Sequence, residues 1–391
     1  MAATSRPRSA AAATPDPDAE LSLYPTVTAD VVPLLTAALP GTGGVLRASP
    51  DDFVVDELPA YPASGSGDHV FVQLEKRGLT TPAAIGTIAA ALGVDRRDVG
   101  AAGMKDRHAV TRQWISLPPP VTPERALALE LPGIRVLQAI RHGHKLRTGH
   151  LRGNAFRLAV RGVGPGAVEH AAAILATLAR PPGVPNAFGE QRFGRDRDNA
   201  DAGRALVTGE ARRGRDRRRD RLMVSALQAA LFNRWLAARI ADGVYATALD
   251  GDVMHKLASD TVRGGMFDST DAATDQARLD AGELAPTGPM FGHRMRAPAA
   301  GTRAAEREAA ILAAAGLALD DFRRVGPLAE GTRRDAGIVV TAPTVTALGS
   351  DAIEVAFALP AGGYATTVMR EVMKVDHEPD ETDADAPQAV D

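Results

Sequence analysis

The apolar residues of this chain follow a two-residue period near both ends and lose it in between. From His69 to Glu75, Val70, Val72 and Leu74 fall on one face, the alternation of a half-buried strand. Phe156 to Gly162 and Ile353 to Leu359 alternate in the same way. From 185 to about 340 the chain turns rich in Arg, Gly and Ala, with few β-like runs. This layout predicts a mixed α/β, or α+β, core assembled from both ends of the chain. The expected limits are a disordered leader over 1–28, core over 29–184, an inserted domain over 185–340, core again over 341–375 and a disordered tail over 376–391.

Local signals fill in the core. Val45 to Arg47 and Phe53 to Leu58 read as strands around the Ser49-Pro50-Asp51-Asp52 turn. Thr81-Pro82 reads as the cap and first residue of a helix whose stripe is Ile85, Ile88 and Leu92, closed by Gly93. Val99 to Ala102, Thr111 to Leu117 and Ile134 to Ile140 read as strands, and Val168 to Leu178 as a helix. In the middle region, helices are expected at Leu222 to Ile240 and Ala304 to Ala315. A last helix is expected from about Thr366 to Lys374, after the Gly362-Gly363 turn.

The absence of cysteine excludes disulfides, thiolate metal sites and cysteine nucleophiles, and it fits a reducing cytoplasm. No apolar run approaches the roughly 20 residues of a membrane span, and the start lacks the apolar segment of a secretory signal. The net charge of -3 hides an asymmetry. Residues 376–391 carry seven acids and no Lys or Arg, and the first 30 residues carry -2, which leaves +6 for 31–375. A basic globule invites a polyanion. Two runs concentrate the charge: RHGHKLRTGHLRGNAFR at 141–157, and seven arginines between Arg212 and Arg221. Guanidinium forks suit phosphate oxygens and stack on bases, although Asp216 and Asp220 interleave the second run and a solvated loop explains it equally. The first run reads as a basic loop facing RNA. Neither a P-loop, an HExxH motif nor a Cys/His cluster of metal-binding spacing is present.

Residues 101–117, AAGMKDRHAVTRQWISL, place Asp106 between Lys105 and Arg107 after a short strand. An acid so placed fits a reactive carboxylate or a solvated loop, and spacing alone leaves both open. Phe156 lies on the same face as Leu158 and Val160. Periodicity makes it a core residue, while an aromatic beside a basic loop also fits a platform for an unstacked base.

Several ordered segments together resemble the TruD family of tRNA pseudouridine synthases. They are GTGGVLRASPDDFVVDEL (41–58), GMKDRHAVTRQW (103–114), HKLRTGHLRGNAF (144–156), PNAFGEQRFG (185–194), SALQAALFN (225–233) and LPAGGYATTVMRE (359–371). The resemblance spans about Gly41 to Lys374. It implies a largely antiparallel pseudouridine synthase sheet with helices, and it makes the insertion the family's TRUD domain. By resemblance Asp106 matches the catalytic aspartate and Arg47 the basic residue that pairs with it. Asn154 and Phe156 match the segment beside the uracil, and Tyr364 an aromatic position near the site. Lys105, Arg107, Lys145 and Arg152 are further candidates for holding substrate. Ala187 stands where the family often has Tyr, so no role is carried onto it, and Tyr364 adds a hydroxyl to a position often held by Phe.

The implied reaction breaks the uridine N1–C1′ bond, turns the uracil and rejoins it through C5. It needs neither redox change nor hydrolysis, so no cofactor and no metal is expected. Its essential piece is one ionised carboxylate acting as nucleophile or base, which a neighbouring cation keeps charged. The implied partner is tRNA, with uridine 13 of the D arm as target; nothing points to a membrane, and a monomer is compatible with the sequence. Two other readings use the same residues. A non-catalytic RNA-binding protein would use the arginine runs alone. A metabolic enzyme for a small anion would want a cofactor or metal motif.

Overall fold

Two helical layers share one face of a long sheet and leave a polar gap between them. The computed structural model describes residues 31–194, 196–257 and 264–375. The expected leader and acidic tail lie outside these residues. The first half of the chain supplies β1 (Val45–Leu46), β2 (Phe53–Pro59), β3 (His69–Arg77), α1 (Thr81–Leu92), β4 (Gly100–Ala101), β5 (Val110–Leu117), α2 (Pro123–Leu127), β6 (Ile134–His142), β7 (Leu151–Arg161) and α3 (Ala167–Leu178). The middle supplies β8 (Val184–Pro185), α4 (Asn199–Thr208), α5 (Arg217–Ala241), β9 (Val253–Lys256), β10 (Gly265–Asp268), α6 (Ala272–Asp280), β11 (Leu284–Met290), α7 (Arg303–Ala314), β12 (Thr332–Asp335) and β13 (Gly337–Ile338). The chain ends with β14 (Thr341–Ala347), β15 (Ala352–Pro360) and α8 (Ala365–Met373).

The fold is α+β. Its main sheet runs β14-β15-β7-β2-β5-β3-β6, with β1 on β7 and β4 on β5. All pairs are antiparallel except β2 with β5. The late strand β15 lies against β7 from the first half, pairing Phe357 with Phe156 and Leu359 with Asn154.

Alternation decides which side of the sheet is covered. Phe53 and Val55 of β2, Phe156 and Leu158 of β7, and Val355 and Phe357 of β15 pack under α3 and α8. Val70, Val72 and Leu74 of β3, with Ile115 and Leu117 of β5, pack under α1. The register joins these patches on one face, because Val55 pairs with Thr111 and Thr111 with Lys76. Between the helical layers the face turns polar. Asn154, Glu57, Gln113, Thr111 and Lys76 occupy it, and of these Glu57, Gln113, Thr111 and Lys76 are each at most 4% exposed.

Three local expectations change. The cap of α1 is Thr80, whose side chain accepts from the Ala83 N–H, so Thr81 becomes the first helical residue. The strand β7 begins at Leu151, which puts the GNAF residues on the sheet rather than in a loop. The helix α5 begins at Arg217 rather than Leu222 because Asp216 caps it, accepting from the N–H groups of Arg218 and Arg219. The arginines from 217 to 221 are therefore helical.

In the middle region β8 pairs with β13, bringing Val184 opposite Ile338. Between them lies a four-stranded sheet, β10-β9-β11-β12, which sequence alternation did not reveal. The strand β11 reads LAPTGPM and is buried along its whole length; its two prolines and one glycine hide the period. Gly288 is required there, since a Cβ at that position would sit 2.5 Å from the Trp235 ring of α5.

Candidate active site

The turn that leaves β4 and re-enters β5 lies over the polar gap, and it is fixed from below at successive atoms. The Lys105 N–H donates to Thr81 Oγ1 at 2.9 Å, and Thr81 donates onward to Gln113 Oε1 at 2.8 Å. This is the use made of Thr81 once Thr80 caps the helix. The Lys105 ammonium reaches Glu57 Oε2 at 2.7 Å, with side chains only 6% and 0% exposed. The second oxygen of Glu57 accepts the Trp114 backbone N–H at 3.1 Å. The Lys76 ammonium donates to the carbonyls of Leu79 at 2.6 Å, Asp106 at 2.8 Å and Lys105 at 3.3 Å.

These contacts lift Asp106 to the surface of the gap. Its carboxylate meets Arg47 through one oxygen, Oδ2 to Nη2 at 3.2 Å, with side chains 17% and 42% exposed for Arg47 and Asp106. Arg47 follows β1 in a left-handed conformation with φ 63°. Such a backbone costs a non-glycine residue about 1 to 3 kcal/mol and gathers at functional sites. Its guanidinium carbon lies 4.2 Å above the Phe53 ring, a cation–π contact that fixes the direction in which it reaches.

Asn154 shares the covered face and pairs with Glu57 on one side and Leu359 on the other. Its Oδ1 is buried and has no hydrogen-bond partner among the described residues. Buried polar atoms normally find a partner, so this oxygen is able to accept one further N–H. Phe156, 7% exposed, lies edge-on to Phe53 at 6.4 Å and beside Phe357 at 5.4 Å. It belongs to the core and forms an aromatic wall with Phe53, whose ring lies under the Arg47 guanidinium. Tyr364, the residue preceding α8, is 55% exposed. It ends the turn after β15, where the Ala361 N–H donates to the Arg152 carbonyl at 3.1 Å.

The remaining candidates separate from this group. Arg107 and Arg152 are exposed. Lys145 reaches away, donating to the Arg97 carbonyl at 2.6 Å. His142 and His144 are tied to one another: the Ser64 N–H donates to His142 Nδ1 at 3.1 Å, and the two Nε2 atoms lie 3.2 Å apart. Burial pulls the His142 pKa down, with His144 and His69 adding to it, so its neutral form is favoured. Among the described residues, no group of three or more His, Cys, Asp or Glu is placed to hold a metal ion.

Lys76, Glu57 and Gln113 were not singled out from the sequence, and Thr81 was read only as a helix cap. The signal was there for two of them. Extending the Val70, Val72, Leu74 period by one step lands on Lys76, and extending Phe53, Val55 lands on Glu57. A charged residue on the buried face of an amphipathic strand is the feature to look for.

The model of the tRNA pseudouridine synthase D (TruD) family matches residues 32–217 and 210–372. The chain belongs to this family. The TruD protein named tRNA pseudouridine synthase D from Anaeromyxobacter dehalogenans (strain 2CP-C) is 53% identical over 357 residues, covering 90% of this chain and 99% of that protein. The protein of the same name from Geobacter metallireducens is 42% identical over 403 residues, covering 87% and 97%. A crystal structure of a Methanosarcina mazei protein described as tRNA pseudouridine synthase D superposes with a TM-score of 0.74 over 90% of this chain and 97% of that one, at 23% identity. That likeness bears on the fold, and it agrees with the α+β sheet. TruD membership makes the chain part of a family of tRNA uridine isomerases.

Proposed function

We propose that this protein isomerises uridine 13 in the D arm of tRNA to pseudouridine, with Asp106 as the reacting carboxylate and Arg47 as the cation paired with it. The observation that carries this reading is the contact between Arg47 Nη2 and Asp106 Oδ2, an ion pair left open on one side above a buried polar floor. The open oxygen serves as nucleophile toward the ribose or as base toward a ribose proton. Asn154 Oδ1 takes a uracil N–H, and the Phe53–Phe156 wall lines the place of the turned base. Extruding the uridine costs a few kcal/mol, and stacking on an aromatic returns about 1 to 3 kcal/mol. Lys105 holds the turn from below through Glu57, while Tyr364, Arg107 and Arg152, all exposed, offer contacts to the RNA around this place. The place of action is the cytoplasm, where tRNA is handled.

The same reading divides the chain into core segments 29–184 and 341–375 around an insertion at 185–340. The pairing of β8 with β13, which closes the neck of the insertion, supports those limits. The test is pseudouridine mapping by carbodiimide labelling and primer extension on unmodified tRNA. Wild type should give a stop at position 13, and Asp106→Asn should bind the RNA and give none. Turnover by that variant would sink the assignment, and a wild type that binds without product would leave an RNA-binding protein.

A further inference from the structure

Buried cations in this molecule normally meet a carboxylate. Arg239 pairs with Asp252 at 2.8 Å, Arg333 with Glu308 at 2.8 Å and Lys105 with Glu57 at 2.7 Å. Lys76 departs from this pattern. It is 0% exposed, and its ammonium meets carbonyl oxygens only. An ammonium has three N–H donors, and Leu79, Lys105 and Asp106 take one each. Two of these acceptors are consecutive carbonyls in the turn that carries Asp106.

Burying an uncompensated charge is costly. A Leu or Met at this step of the period would complete the apolar face begun by Val70, Val72 and Leu74 without that cost. The charge therefore has a use apart from stability. We infer that Lys76 is a positioning residue for the isomerisation, pinning the peptide that bears Asp106 and holding a positive charge beneath its carboxylate. The inference rests on the proposed activity for its role, while the pinning can be read without turnover. Lys76 touches neither substrate nor the reacting atoms, so it acts through Asp106.

The arrangement has a pH signature. Burial lowers the Lys76 pKa to about 8, against the opposing pull of Asp106 and with Lys105 adding to the lowering. The charged groups facing Lys76 are those two from the turn, with Glu57 from β2 paired to Lys105. Arg107, exposed, and His108 complete the ionisable groups of the turn. Thr111 of β5, Ile134 of β6 and Thr81 of α1 bring no charge. As pH rises through about 8 the ammonium loses its proton, the third carbonyl loses its donor and kcat falls.

The experiment compares kcat profiles on unmodified tRNA for wild type, Lys76→Met and a chemically rebuilt ammonium. Lys76→Met should lower kcat about 100-fold, the scale of a small misplacement of a reacting group. KM for tRNA should stay put, and the alkaline limb should vanish. The chain has no cysteine, so Lys76→Cys can be alkylated with 2-bromoethylamine in the unfolded chain and refolded. This restores an ammonium of matching length, made more acidic by its sulfur. The rebuilt chain should recover kcat with its limb moved to lower pH, which a merely structural lysine would not do. Amide hydrogen exchange across 103–109 is read in parallel: faster in Lys76→Met, slow again after alkylation. A folded Lys76→Met with wild-type kcat, a limb that persists in it, or unchanged exchange overturns the inference. Should Lys76→Met fail to fold, an unshifted limb in the rebuilt chain overturns it. An inactive wild type that still shows the exchange effect would support the pinning and sink the proposed activity.

Discussion

Two neighbouring ion pairs contrast the floor of the site with its rim. On the floor, Lys105 and Glu57 meet at 2.7 Å with 6% and 0% of their side chains exposed, and Glu57 is also bound to the Trp114 N–H. On the rim, one residue further on, Arg47 and Asp106 meet through a single contact at 3.2 Å, with 17% and 42% exposed. The floor pair is buried and fixes the turn. The rim pair leaves Asp106 open to solvent. Sign and spacing in the sequence look alike for both, and burial separates their uses.

The contrast breaks most visibly by removing one partner from each pair. Arg47→Met should lower kcat by about 100- to 1,000-fold, the usual loss when a charge-stabilising group leaves an active site. Its stability should fall by less than that of a variant of the buried pair, because the Asp106 carboxylate left behind is 42% exposed and water can solvate it. Glu57→Ala should behave in the opposite way. It leaves a buried ammonium alone and should cost about 3 to 5 kcal/mol of stability. Replacing both partners, Glu57→Met with Lys105→Met, should recover most of that stability, since a packed apolar pair avoids the desolvation of two ions. Urea denaturation of the four proteins, with kcat on tRNA beside it, checks the pattern. Equal losses of stability for Arg47→Met and Glu57→Ala would remove the distinction between floor and rim.

A second difference sharpens the same contrast through pH. The Lys76 pKa is about 8 in the folded chain against 10.5 unfolded. A lysine with a lowered folded pKa binds fewer protons in the native state between those values. Unfolding then takes up protons, and stability rises with pH across the window. The cost of the buried charge is fully present below about 8 and is relieved as pH climbs toward 10.5. The gain should reach about 3 kcal/mol at most by linkage. It should appear as the difference between wild type and Lys76→Met in denaturation at a series of pH values. Over the same window kcat should fall. Activity and stability moving in opposite directions would place Lys76 among residues kept for function at a cost in stability.

How much of this was legible beforehand follows from what alternation can and cannot encode. The main sheet was readable because β2, β3, β7 and β15 each present one apolar face. The closing of the core by β15 followed from the return of the period after 340. The second sheet was not readable, because Pro286, Gly288 and Pro289 interrupt a strand whose burial is complete on both sides. Asp106 and Arg47 stood out by resemblance, yet no local pattern ties residues 59 positions apart. Phe156 was legible as a core residue, and the structure places its ring in the core. Lys76 and Glu57 were visible as charges on apolar faces, but only the register brings them beneath one turn. The basic run at 141–157 misled as a loop, since Arg141 and Arg157 lie on strands while Lys145 turns to Arg97.

The smallest effect expected lies far from both pairs, at the start of α5. Arg212, Arg213, Arg215, Arg217, Arg218, Arg219 and Arg221 are all exposed. Other exposed arginines, such as Arg77 with Asp51 and Arg97 with Asp95, hold an acid, whereas no ion pair involves these seven among the described residues. Four of them sit in the first turns of a helix, where the dipole disfavours cations. Mutual repulsion and the dipole both oppose the cluster, so a polyanion is the partner that would relieve it. Replacing Arg217, Arg218 and Arg219 by Gln should raise KM for tRNA several-fold and leave kcat unchanged. The dependence of log Kd on log salt should flatten by about 0.7 to 0.9 for each phosphate that is no longer neutralised. An unchanged salt slope would assign the cluster to solvent and leave RNA binding to the basic surface around Arg152. A drop in kcat instead would mean that the cluster reaches the rim, and the separation between holding RNA and acting on it would have to be redrawn.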